Sequence, residues 1–191
     1  MRAHLAAPRR QAAPALRSRC DCDNRAVTES TVEIHLASVA DLPEVRAVRL
    51  RALQEAPYAF ASTYERESAF DTADWVERLT SGSATFLARV GETSVGICTG
   101  LPPRDAIVEL VAMWVDPAVR GSGVAAELVH AVSAWAADQG ADRIHLWVAG
   151  ANERAKRFYE RLDFVLTGER QPLPSDPGVQ EFGMVRLISP E

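Results

Sequence analysis

No uninterrupted apolar stretch in this sequence approaches the roughly 20 residues that a membrane-spanning helix requires. No apolar core follows the basic N-terminus in the manner of a secretory signal. The expectation is a cytoplasmic protein without a membrane partner. Cysteine is scarce, with Cys20, Cys22 and Cys98 the only three in 191 residues. An odd number without a disulfide framework implies reduced thiols. Cys20-Asp21-Cys22 is the one arrangement that can in principle ligate a metal, and no partner His or Cys lies close by, so no metal site is expected. Lysine is almost missing, Lys156 being the only one. That excludes a nucleotide-triphosphate loop, which needs Gly-Lys-Ser/Thr.

What is present fits one globular domain: 47% hydrophobic and 25% charged residues, enough to build a core. The net charge is −5, yet residues 1–30 hold six arginines against three acids, so the rest of the chain is the more acidic part. An acidic body disfavours nucleic acid as a partner and would attract a cationic small molecule or basic peptide, although solubility alone also accounts for such charge. Residues 1–30 are rich in Ala, Arg and Pro and show neither a helical nor a strand period, so a disordered extension is expected there, with the folded domain over 31–191. An organelle transit peptide is the alternative for this tail, weakened by its prolines and by Asp21 and Asp23.

Val32, Ile34 and Leu36 alternate as a strand, and Asp41-Leu-Pro-Glu44 then opens a helix with a capping pattern, carrying Val45, Arg49 and Leu53 at helical spacing. Ala56 to Phe70 reads as irregular, and a short helix starts near Asp71 or Thr72. Ala84 to Val90 and Ser94 to Thr99 flank Gly91-Glu-Thr as a hairpin, and Asp105 to Val115 supplies a third strand. A glycine turn leads into a helix whose apolar face, Val124, Leu128, Val132 and Ala136, lasts until Gly140. A strand over Ile144 to Val148, a helix capped by Asn152 and running to about Leu162, and strands near Phe164 and from Phe182 to Leu187 around a proline-rich loop complete the order βααβββαβαββ.

The segment from Val111 to Ala126 is the most informative, because a strand passes there through Arg120-Gly-Ser-Gly123 into a helix. Two glycines remove Cβ atoms that would hold a ligand away from the backbone. The first turn of a helix has N–H groups without internal partners and a partial positive charge, which suits a diphosphate. Arg120 adds a full charge and a donor fork. An ordinary glycine turn explains Gly-x-Gly equally well on its own. Gly121 to Ala126 also satisfies G-x-G-x-x-A. The dinucleotide fold is rejected all the same, since three strands precede the turn and no acid ends the following strand.

Arg120-x-x-Gly123-x-Ala125 after Val115-Asp-Pro resembles the acetyl-CoA signature Q/R-x-x-G-x-G/A of the GNAT acetyltransferases. Asn152-x-x-Ala155-x-x-Phe158-Tyr159-x-x-Leu162-Asp-Phe164 is similar to the family's N-x-x-A-x-x-F-Y-x-x-L-G-F helix, departing at Asp163, where Asp is among the residues that tolerate positive φ. The likeness covers residues 32–188. It implies the acyl-CoA N-acyltransferase fold, an α/β fold with a mixed, mostly antiparallel central sheet flanked by helices. It also implies transfer of an acetyl group from acetyl-CoA to a primary amine of a small molecule or peptide by direct attack on the thioester, without a metal. The cofactor is then expected between two strands that splay apart after Val115, on Met113, Trp114 and Val115, with Arg120, Gly121, Ser122, Gly123, Val124 and Ala125 around the diphosphate and Asn152 near the arm. A β-bulge in the strand would accomplish the splay.

Tyr159 is the candidate general acid, since a phenol of pKa about 10 can protonate a departing thiolate once within reach. Phe158 and Leu162 are expected to face the core and Tyr159 the cleft. Glu109, inside the apolar run Ile107-Val-Glu-Leu-Val, is the candidate base for the amine, and a solvated outward glutamate is the competing reading. His130 and His145 read as surface residues. The resemblance puts the acceptor site between Leu50 and Leu79, where Glu55, Tyr58, Phe60, Tyr64, Glu65 and Glu67 lie, with help from the last loop. A non-catalytic acyl-CoA sensor is the alternative function. A homodimer is compatible with the sequence, which is silent on oligomeric state.

Overall fold

The computed structural model describes residues 31–188. The expected N-terminal extension and the Cys20/Cys22 pair lie outside the described residues. The elements are β1 (Val32–Leu36), α1 (Leu42–Glu55), α2 (Tyr64–Ser68), α3 (Thr72–Thr80), β2 (Ala84–Val90), β3 (Thr93–Gly100), β4 (Ile107–Val115), α4 (Val124–Asp138), β5 (Arg143–Ala149), α5 (Glu153–Glu160), β6 (Val165–Leu173) and β7 (Asp176–Leu187). They form one seven-stranded sheet in the order β1-β2-β3-β4-β5-β7-β6. Every pairing is antiparallel except β4 with β5.

The faces of the sheet carry different helices. Phe86, Ala88 and Cys98 point to the side where Val124, Leu128, Val132 and Ala136 of α4 pack, with Tyr159 and Phe164 beside them. Leu87 and Ile97, each one residue out of phase, meet Val45, Val48, Ala52 and Leu53 of α1 on the other side. Helix α4 lies close against β3 because Gly100 has no side chain: a Cβ there would sit 2.7 Å from the Trp135 ring.

Four local expectations need correction. The capping box sits one turn earlier than expected: Ser38 accepts from the Ala40 amide and Asp41 accepts from the Ser38 amide, while α1 itself starts with Pro43 in its first turn. The stretch read as irregular contains α2, capped by Thr63, so the order is βαααβββαβαββ. Asp105 and Ala106 have φ of 51° and 60° and form the turn that precedes β4 instead of its first two residues. The proline-rich loop is mostly strand, because Pro172 lies in β6, an edge strand where a missing donor is tolerated, opposite Gln180.

Strand β4 sets up the site. Trp114 pairs with Ile97 and Val111 with Thr99, so three steps on β4 oppose two on β3, and Ala112 between them has φ of 57°. This is the β-bulge anticipated for the strand. It reverses the alternation of faces: Val108 and Leu110 belong to the α4 side, as does Val115, whereas Trp114 joins the α1 side. Pairing of β4 with β5 stops at Glu109 and His145, so the strands part before the bulge and well ahead of Val115, where the separation was expected.

Candidate active site

Two cavities adjoin at the bulge. The first, of about 430 Å³, takes Met113, Trp114 and Val115 from β4. From the turn and the start of α4 it takes Arg120, Gly121, Gly123 and Ala125, and from the α5 segment Asn152 and Tyr159. Ser122 and Val124 do not line it. The Ser122 hydroxyl donates to the Val119 carbonyl at 2.7 Å, and the Val124 side chain is buried in the core.

The glycine turn has the geometry its sequence requires. Gly121 and Gly123 have φ of 90° and 96°, the left-handed region that side chains rarely adopt, and a Cβ at either would meet no protein atom within 4 Å. No side chain caps α4. The amides of Gly123, Val124 and Ala125 have no backbone acceptor among the described residues, as the first turn of a helix dictates. Arg120 reaches back from the turn: its Nε donates to the Val115 carbonyl at 2.9 Å and its Nη2 to Glu55 at 2.6 Å. Chiefly through that bond to Arg120, the Glu55 carboxyl lies below the usual carboxylate range.

Asn152 caps α5 by accepting from the Ala155 amide at 3.1 Å. Two turns later Tyr159 is only 6% exposed and packs edge-on against Phe164, ring centroids 5.5 Å apart. The expected division between core and cleft is therefore too simple: Tyr159 is the deepest of the three, and Phe158 and Leu162 line the cavity alongside it. Burial raises the Tyr159 phenol well above its ordinary pKa, keeping it protonated at neutral pH. Asp163, where glycine was expected, adopts φ of 63°, and the Phe164 amide bonds back to the Tyr159 carbonyl at 3.1 Å, closing the helix as glycine would.

Glu109 is not brought into this cavity. It lines the second, of about 600 Å³, on the α1 side of β4, together with Leu110, Val111 and Ala112. The two cavities share Ala59 and Phe60. On the same strand wall, with β5 between them, lies Glu181 of β7, 6% exposed, which sequence reasoning missed. Burial pushes its carboxyl above the usual range and the charge of Glu109 adds to this, against a hydrogen bond of 2.6 Å from Gln171 Nε2. The helices contribute Arg49, Glu67 and Arg78. Glu67 is fully buried and accepts from Arg49 at 3.0 and 2.8 Å and from Arg78 at 3.2 Å.

Of the residues expected at an acceptor site, Phe60 and Glu67 line the larger cavity and Tyr58 the smaller, Glu55 is held by Arg120 and Trp114, and Glu65 is exposed. His130 is exposed on α4, and His145 packs edge-on to Trp147; neither lines either of the two cavities.

Residues 47–164 match the Acetyltransferase (GNAT) family. An uncharacterized N-acetyltransferase of Mycobacterium tuberculosis (strain H37Rv) is 39% identical over 100 residues, covering 52% of this chain and 64% of that protein. The match therefore spans less than two thirds of the relative's length. A mycothiol acetyltransferase of Nocardiopsis dassonvillei is 37% identical over 67 residues, 35% of this chain and 20% of its own length. A GNAT-family acetyltransferase from Streptococcus pneumoniae superposes with a TM-score of 0.70 at 20% identity, covering 83% of this chain and all of that one. A Salmonella typhimurium protein solved with its cofactor acetyl-CoA superposes at 0.68 and 16% identity, over 85% and 96%. The matched span contains the bulged strand, the glycine turn and the helix that carries Tyr159, and the chain belongs to the GNAT acetyltransferase family.

Proposed function

We propose that this protein transfers an acetyl group from acetyl-CoA to a primary amine of a small molecule or peptide. The observation that carries the reading is the meeting of two cavities across one bulged strand, one suited to a diphosphate-bearing cofactor and the other to an amine. A cofactor sensor has use for the first alone.

The residues of the smaller cavity fit coenzyme A. Open space where Cβ atoms would stand at Gly121 and Gly123, and three helix amides without acceptors, suit a diphosphate. On the side toward β5, β4 beyond Glu109 has no strand partner among the described residues, so its peptide groups there, apart from the Val115 carbonyl that accepts from Arg120, are available to an amide-rich arm. Acetyl-CoA supplies the acetyl group as a thioester.

In this reading, Met113 to Val115, Asn152 and the turn hold and orient the cofactor, and Tyr159 donates its phenolic hydrogen bond toward sulfur. The amine, almost wholly protonated in water at pH 7, loses a proton to Glu109, directly or through water. Its nitrogen forms the C–N bond as the C–S bond breaks, the Tyr159 hydroxyl passes its proton to the departing sulfur, and the second proton shed by the acylated nitrogen returns to the tyrosine oxygen through water. An amide and a free thiol result. Burial raises the phenol's pKa, so Tyr159 keeps its proton until charge develops on sulfur, hydrogen-bonds to that charge as it forms and regains a proton once the thiol has left.

Calorimetry with coenzyme A tests the cofactor half of this reading, and thiol release from acetyl-CoA over a panel of amines tests the transfer. Micromolar binding together with amine-dependent thiol release is expected. Binding without release for any amine would leave a sensor.

A further inference from the structure

The larger cavity is divided by charge. Its helical wall carries Arg49 of α1, Arg66 and Glu67 of α2 and Arg78 of α3, three guanidiniums against one carboxylate. Its strand wall carries Glu109 of β4 and Glu181 of β7, neither of which makes an ion pair among the described residues; the partner of Glu181 is the neutral Gln171. A second observation concerns the helical wall alone. Arg49 Nη1 and Trp75 Nε1 are buried donors without an acceptor, on residues 7% and 2% exposed that line the cavity. Buried donors in folded proteins nearly always meet an acceptor of the protein, of water or of a ligand, so an unpaired pair on a cavity wall is suited to acceptor atoms of a bound molecule. The opposite wall calls for a cation.

We propose that the acceptor is an amino carboxylate, a molecule that presents its ammonium to Glu109 and Glu181 and its carboxylate to the wall of Arg49, Trp75 and Arg78. The proposal rests on the acetyl-transfer reading and selects a substrate class within it. A polyamine or an amino sugar would satisfy the two glutamates but would bring further positive charge against three guanidiniums, and its cations would leave the unpaired donors unpaired. Acetylation also favours release. The product keeps its carboxylate and loses the ammonium, so nothing on it neutralises the glutamates any longer.

The test is a paired panel: free L-amino acids and dipeptides, each beside its C-terminal amide, with spermidine and kanamycin as polycations, assayed by thiol release from acetyl-CoA. Free carboxylates should exceed their amides by about tenfold or more in kcat/KM. Arg78→Gln, a change at a partly exposed side chain, should shrink that ratio by raising KM for the acids more than for the amides. Glu181→Gln should raise KM for acids and amides alike. Equal turnover of acids and amides, or preference for a polycation, overturns the proposal while leaving acetyl transfer intact. If no amine is acetylated although coenzyme A binds, the transfer reading fails, and thermal melts still decide the inference: amino acids must raise the melting temperature more than their amides do, and absence of that difference overturns it.

Discussion

Arg120 donates from Nη2 to Oε2 of Glu55, the same oxygen that accepts from Trp114 Nε1 at 2.9 Å, so the residue ahead of the glycine turn is tied to the end of α1 and to the bulged strand. Glu55→Ala removes both bonds and leaves the indole of Trp114, 4% exposed, without an acceptor. A loss of about 1–3 kcal/mol is expected in denaturant titration. Arg120→Ala should weaken coenzyme A binding by about tenfold, and Glu55→Ala by less, since it leaves the guanidinium present. Calorimetry on both variants separates anchoring from charge.

Tyr159→Phe keeps the ring against Phe164 and removes only the hydroxyl. Coenzyme A affinity should stay within about twofold, while kcat for acetyl transfer falls by about 10²-fold or more. Unchanged kcat would exclude the tyrosine as the proton donor.

Gly123→Ala introduces a Cβ at φ of 96° and into the space in front of the unpaired amides. The strained backbone costs about 1–3 kcal/mol, to be read in thermal or chemical unfolding. Coenzyme A binding should weaken beyond what the remaining folded fraction explains. Gly91→Ala, also at positive φ but in the β2–β3 turn, controls for the strain alone and should leave binding unaltered.

Glu67→Gln leaves the buried Arg49 without its counter-charge, and a loss of about 3–5 kcal/mol is expected. Burial pushes the Glu67 carboxyl upward, but the bonds and charges of Arg49 and Arg78 outweigh it, so the folded-state pKa is lowered. Stability from this group is thus present above the unfolded carboxylate pKa of about 4.3 and is lost as pH falls through the folded value. Unfolding free energy measured against pH should drop for the wild type in that acid range and be flatter for the variant.

Glu181 has the opposite sign. Its folded pKa is raised, so ionising it costs stability as pH climbs from the unfolded value through the folded one. Glu181→Gln should therefore melt higher than the wild type at pH 7 and lose that advantage near pH 4. A variant that melts lower at pH 7 would show that the carboxylate is stabilised by contacts other than Gln171.

The turn into α4 and the helix of Asn152 and Tyr159 were legible in the sequence because their geometry is carried by neighbouring residues: two glycines, a cap and a fixed spacing. The bulge was anticipated only from family likeness, since Ala112 bears no local mark of a positive φ and the distortion is imposed by pairing with β3. Helix α2 escaped notice because five residues show no apolar period, and it is Arg49, 18 positions earlier, that anchors it through Glu67. Glu181 was missed for a similar reason. Its burial follows from β7 being twelve residues long and paired on both edges, which prolines near its start had concealed.

Because the two cavities have only Ala59 and Phe60 in common, the proposed cofactor and amine would fill separate volumes, and both can be held at once. Initial-velocity plots for the proposed reaction should accordingly converge, whichever reactant is varied, and parallel lines would betray an acyl-enzyme relay for which this architecture has no use.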